Sequence, residues 1–109
     1  MITYELNEFG LREKDMKYLL TLLAQYPKLV RAGIFGSRAT GSHERGSDVD
    51  LVLYGEGLSQ SDASSVHFKL ENESPTLLFF DVLIFHKIKN RELREKIMKE
   101  EKIIYTRHP

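Results

Sequence analysis

Gly36-Ser37-Arg38-Ala39-Thr40-Gly41, a polar loop, and then Gly46-Ser47-Asp48-Val49-Asp50 form the stretch whose reading decides the fold. Strand-like apolar residues precede it (Val30 to Phe35) and follow it (Leu51-Val52-Leu53-Tyr54). A Gly-Ser turn therefore leaves one strand, and two carboxylates at i and i+2 open the next. Side chains alternate faces along a strand, so Asp48 and Asp50 fall on the same face, about 6.6 Å apart at ~3.3 Å per residue. Two anions that close repel unless a cation sits between them or water solvates both. A divalent ion that takes oxygen ligands is the natural occupant.

Gly36 and Ser37 supply the other half of the chemistry. A residue without Cβ lets a ligand approach the backbone, and a serine opening a short helical turn over Ser37 to Thr40 offers a hydroxyl and free N–H groups to an anion. A phosphate cradle beside a carboxylate pair suggests a metal-bound nucleoside triphosphate. The G-x-x-x-x-G spacing also invites comparison with a P-loop, but Ser42 stands where that motif requires lysine. What the stretch resembles is the signature of the polymerase-beta-like nucleotidyltransferase superfamily, roughly F-G-S-R-A-x-G, a loop, then S-D-x-D-L. Phe35 to Gly41 and Ser47 to Leu51 match it throughout.

The whole chain sets limits on that reading. Its 109 residues suit a single catalytic domain, 1–109, with a modest core and no second lobe. No apolar run approaches the ~20 residues of a membrane span, and the N-terminus lacks a signal-peptide pattern, so the cytoplasm is the expected compartment. Without cysteine, any metal must be held by oxygen or imidazole. The 16 basic and 16 acidic residues cancel, whereas proteins that grip long nucleic acids carry a basic excess. A nucleotide remains compatible, because its metal ion brings the positive charge; a template or long primer is not expected.

Along the chain, residues 1–10 read as a loosely held start. Met16, Leu19, Leu20, Leu23 and Tyr26 mark an amphipathic helix over Leu11 to Tyr26, ended by Pro27. Leu29 to Phe35 is the first strand and Asp48 to Tyr54 the second. Ser42 to Gly46 makes a flexible loop in which His43 reads as solvated, the alternative being a contact to nucleotide or metal, and Arg38 and Arg45 flank the cradle, guanidinium being well suited to phosphate. A thin stripe (Ala63, Val66, Leu70) gives a helix from Ser59 to Asn72, capped by Ser59 or Ser61. Leu77 to Phe85 is a strand of nine residues, all apolar but one. Asp81 interrupts it, and a charge there must meet a cation, a donor, or water at a strand end. Asn90 caps a last helix, Arg91 to Lys99, before a short extended tail at Ile103 to Tyr105.

These elements give an α/β (α+β) domain, a small mixed sheet with helices against one face and the carboxylates on the open one. The resemblance implies the same palm-like fold, and the small bacterial and archaeal members, the minimal nucleotidyltransferases, share the I-x-N-x-x-L-x-x-x-I…I-Y ending. Two departures are Glu101, where glycine is usual, and the bulk of Phe79-Phe80. The resemblance further implies a Mg²⁺-dependent transfer of NMP, AMP from ATP, to a hydroxyl with release of pyrophosphate. Asp48, Asp50 and Asp81 would be catalytic and would hold two Mg²⁺ ions; Gly36, Ser37, Arg38 and Ser47 would bind the nucleotide. Minimal members pair with a helical HEPN or substrate-binding protein, in some pairs as an antitoxin that adenylylates its toxin. A partner interface using residues such as Tyr105 is therefore expected, and a homo-oligomer is left open. Two alternatives share the residues: an antitoxin that works by masking its partner, and a nucleotide-sensing module without turnover. Release of pyrophosphate separates both from an enzyme.

Overall fold

The alternation Val49-Asp50-Leu51-Val52-Leu53-Tyr54 builds the strand at the centre of the molecule. In this computed structural model, which describes residues 6–108, β2 (Val49–Tyr54) lies between β1 (Arg31–Phe35) and β3 (Phe80–Ile84) in a sheet of order β3-β2-β1-β4, with β4 at Lys102–Thr106. β1 runs antiparallel to β2 and β4, whereas β2 and β3 are parallel. The mixed sheet is as expected. The helices are α1 (Glu13–Leu23), α2 (Ser37–Thr40), α3 (Gln60–Asn72) and α4 (Arg91–Glu100). Parallel pairing needs a crossover, and α3 supplies it.

Both faces of the sheet are covered. Ala32, Ile34, Val49, Leu51 and Leu53 form one buried face with Leu19, Leu22 and Leu23 of α1 and Ala63, Val66 and Leu70 of α3. The opposite face, which carries Asp50, also carries Phe35 and Val52, and these pack against Ile97 of α4. The expectation of helices on one face holds for α1 and α3 but not for α4. Val52 is the reason: two residues beyond Asp50, it puts an apolar side chain on the carboxylate face, and that side chain must leave water. Glu101, the residue in place of a usual glycine, helps fasten this layer by accepting the Tyr54 hydroxyl at 2.5 Å.

Element boundaries moved where tertiary contacts intervene. α1 ends at Leu23, short of Pro27, and Arg107 from beyond β4 donates to the carbonyls of Ala24, Tyr26 and Leu29 that follow. A helix end leaves carbonyls unpaired, and here a distant guanidinium takes up the carbonyls just past it. Of the expected loose start, residues 1–5 lie outside the described residues. Residues 6–10 are held: Asn7 Oδ1 accepts the N–H groups of Phe9 and Leu11, and Phe9 is buried. Ser59 caps α3 and Asn90 caps α4, each side chain accepting a backbone N–H three residues on.

Candidate functional site

Parallel pairing of β2 with β3 sets Asp50 opposite Asp81 in register. Like charges directly opposite each other on neighbouring strands are destabilising, and the consequence is visible in Asp50. Its carboxyl is pushed up to about 6, first by burial, then by the charge of Asp81 and a hydrogen bond to it, and then by Asp48, with Lys96 pulling the other way. Asp81 is exposed, because β3 is an edge strand and Asp81 its second residue. Of the outcomes open to a charge in an apolar strand, it has taken water and a carboxylate neighbour. Asp48 lies just before β2 and is also exposed.

The Gly-Ser turn sits directly against this pair. Gly36 has φ +74° and ψ −155°, which favours glycine, and a Cβ built on it would lie 2.3 Å from Oδ2 of Asp50. No other residue leaves the carboxylate where it is. The Gly36 N–H donates to Oε1 of Glu100 at 3.2 Å, so that donor is engaged by a side chain from α4. Ser37 opens α2, and its hydroxyl makes no hydrogen bond among the described residues.

Arg38 lies elsewhere. Its side chain is 1 % exposed, and its guanidinium donates to the carbonyls of Phe9, Gly10, Arg45 and Ser47. It clamps the residue 42–47 loop to the segment before α1, and removing it would leave those carbonyls without donors. The phosphate-facing position expected for Arg38 is thus taken up by a structural clamp, and desolvation lowers the pKa of this arginine. Ser47 belongs to the same loop, its hydroxyl accepting the Glu44 N–H at 2.9 Å. His43, expected in solvent, is half-buried, with Nδ1 enclosed and without a hydrogen-bond partner among the described residues.

An open cleft of about 450 Å³ runs over Asp50 and Asp81, with Phe35 and Leu93 among its apolar walls. Two charge-bearing side chains in it escaped the sequence reading, Lys96 of α4 and His67 of α3. Helical spacing puts Lys96 one residue from buried Ile97, but nothing in the sequence states that α4 crosses the carboxylate face. A larger hollow along α1, lined by Leu6, Met16 and Leu20, lies away from these groups.

Among the described residues, no three acidic or imidazole groups converge as a closed metal cage. The donors present are nevertheless those a hard divalent cation takes, carboxylate oxygens on adjacent strands. The Asp50 carboxyl is raised by burial first and then by the charges of Asp81 and Asp48, and a cation would relieve the second part. Mg²⁺ is commonly held by one or two carboxylates with substrate phosphates completing the shell, and Asp50, Asp81 and Asp48 fit that role.

A family model described as "Polymerase beta, Nucleotidyltransferase" matches residues 17–109. No curated protein matches the chain. Solved structures do. A toxin–antitoxin with AMP-PNP superposes with a TM-score of 0.69 at 21% identity, covering 94% of this chain and 75% of that one. A mutant of the toxin–antitoxin MntA-HpeT gives a TM-score of 0.70 at 17% identity, over 84% and 73%. A tri-AMPylated Shewanella oneidensis HEPN toxin in complex with its MNT antitoxin gives 0.65 at 17%, over 85% and 71%. At these identities the likeness is one of fold.

Proposed function

Because the chain belongs to the polymerase beta nucleotidyltransferase family, we propose that it transfers AMP from ATP, with Mg²⁺, to a hydroxyl on a separate helical protein of HEPN type. Pyrophosphate is the other product. The observation that carries this reading is the placement of Asp50, in register with Asp81 and in van der Waals reach of the Gly36 turn. Catalysis of this kind is mostly positioning and stabilisation of charge in the transition state. Asp48, Asp50 and Asp81 would hold Mg²⁺, which when bound neutralises the triphosphate and lowers the pKa of the acceptor hydroxyl. The Gly36 turn and the Ser37 hydroxyl receive phosphate oxygens, and Lys96 supplies a positive charge across the cleft.

Support for a protein partner comes from two directions. The similar solved structures are toxin–antitoxin assemblies, one holding an AMPylated HEPN toxin. On this chain, Leu77 and Phe79 stand 95 % and 66 % exposed just ahead of Asp81, and Phe68, next to His67, is 59 % exposed. Large apolar side chains beside a cleft mark a contact surface. Tyr105, expected there, is instead half-buried in β4 opposite Ala32 and packed against the core. Purification from the native host is expected to bring one helical protein with the chain, and the pair Leu77→Ser with Phe79→Ser to lose it. Recovery of the chain alone, with rapid transfer to a free small molecule, would contradict the partner.

A further inference from the structure

We propose that Glu100 is a positioning residue for the transfer: its carboxylate extends the β1–β4 ladder by one rung and holds the Gly36 turn against Asp50. This rests on the nucleotidyltransferase reading above. The ladder pairs Ile34 with Lys102 and goes no further, because Glu101 caps α4 and returns its N–H to Ile97 at 2.8 Å. Gly36, just beyond β1, is buried, and a buried N–H that has run out of strand needs another acceptor. Oε1 of Glu100 takes it at 3.2 Å. The origin of that side chain is pinned on both sides. Ile97 is buried with Phe35 and Val52 on the carboxylate face, and Glu101 accepts the Tyr54 hydroxyl.

Gly36 passes this constraint on in two directions. Its carbonyl accepts the N–H groups of Ala39 and Thr40 at 3.0 and 3.1 Å, which closes the α2 turn and fixes where Ser37 stands. Its Cα lies so near Asp50 that an added Cβ would come within 2.3 Å of Oδ2. One residue back, Phe35 faces Asp50 across the β1–β2 pair. Tilting the Gly36 peptide would therefore move both the serine that opens the phosphate cradle and the backbone against which the carboxylate rests. Glu100 is not among the described residues that line the cleft over Asp50 and Asp81, so it acts through Gly36 and not by touching substrate. What the site needs from it is an acceptor at the right reach, and the charge is incidental.

A latch that a nucleotide phosphate has to open, or a further carboxylate acting on the metal, would place the same side chain here, and the variants separate them. Glu100→Gln, Glu100→Asp, Glu100→Ala and Asp50→Asn are each purified with the partner protein and assayed for AMP transfer from Mg-ATP to it. Exchange of the Gly36 amide is followed by NMR in the full chain, which needs no partner. Glutamine keeps an oxygen at the same reach, whereas aspartate keeps the charge but falls one methylene short. Glu100→Gln should therefore retain a near-native kcat and a slowly exchanging Gly36 amide. In Glu100→Asp and Glu100→Ala, kcat should fall about 10- to 100-fold with KM for Mg-ATP nearly unchanged, and the Gly36 amide should exchange about fivefold faster or more. Should Glu100→Ala fail to fold, the contrast between glutamine and aspartate decides alone. A native kcat in Glu100→Ala or Glu100→Asp would overturn the assignment, as would a loss in Glu100→Gln, which would mean that the charge is needed. A lower KM for Mg-ATP in Glu100→Ala, the mark of a latch, would overturn it as well. An Asp50→Asn complex as active as the native one would sink the parent reading instead.

Discussion

Asp50→Asn is expected to abolish Mg²⁺-dependent transfer and, in the absence of metal, to make the protein more stable at pH 8. The first effect should reach roughly three orders of magnitude, since losing a metal ligand removes several kcal/mol of charge stabilisation. The second follows from the environment of the carboxyl. Asp50 titrates at about 6 when folded against 3.8 as a free side chain, through burial first and Asp81 next. Between those values the folded chain holds a proton that the unfolded chain has released. Stability therefore falls as pH rises through that window, and the full penalty is in force above it. Discounted for solvent screening, it is about 1 kcal/mol. Asparagine cannot ionise, so the variant should escape the fall. Chemical denaturation at pH 4 and pH 8 checks this: the native protein should lose stability between them relative to Asp50→Asn. Parallel behaviour of the two would mean that burial and its neighbours do not hold the Asp50 carboxyl above its free value. Asp48→Asn and Asp81→Asn should also lose transfer, and an Asp81→Asn enzyme of native activity would remove Asp81 from the site.

Gly36→Ala carries the other large effect. A positive φ of 74° strains any L side chain, at a cost of about 1–3 kcal/mol. The new methyl would also occupy the place of the Asp50 carboxylate, 2.3 Å away. That oxygen must move, and a displacement of this size at a reacting centre costs on the order of 10²-fold in rate. Gly46→Ala is the control, because a Cβ there meets nothing within 4 Å and its φ is unremarkable. It should fold and react like the native chain. A Gly36→Ala protein with native kcat would show that the turn does not hold the carboxylate in place.

Chemistry that depends on near neighbours was legible in the sequence. Asp48 and Asp50 stand at i and i+2 where β2 opens, and Gly36 leaves the strand before them, so their spacing alone proposed a metal and phosphate site. Ser59 and Asn90 announced their caps because a cap needs only the next three residues. What escaped required knowing which distant elements meet. Arg38 reads as a phosphate ligand until the segment before α1 folds over it and offers the carbonyls of Phe9 and Gly10. The register of Asp50 with Asp81 depends on β3 running parallel to β2, and an apolar run does not state its direction. Lys96 and His67 come from helices on opposite faces of the sheet and meet only around the edge strand. The apolar run left open whether Asp81 meets a cation, a donor or water, and edge placement put it in water.

The most direct test of the account follows the label from ATP. The purified complex is incubated with Mg²⁺ and either [α-³²P]ATP or [γ-³²P]ATP, and the protein bands and released products are counted. The Gly36 turn lacks the lysine of a P-loop and lies beside the carboxylate pair, so attack is expected at the α-phosphorus. The α-label should appear on the partner protein, and the γ-label should leave as pyrophosphate. Transfer of the γ-label would make this chain a kinase, and the absence of any pyrophosphate would leave it a binding antitoxin or a nucleotide sensor; either result contradicts the account.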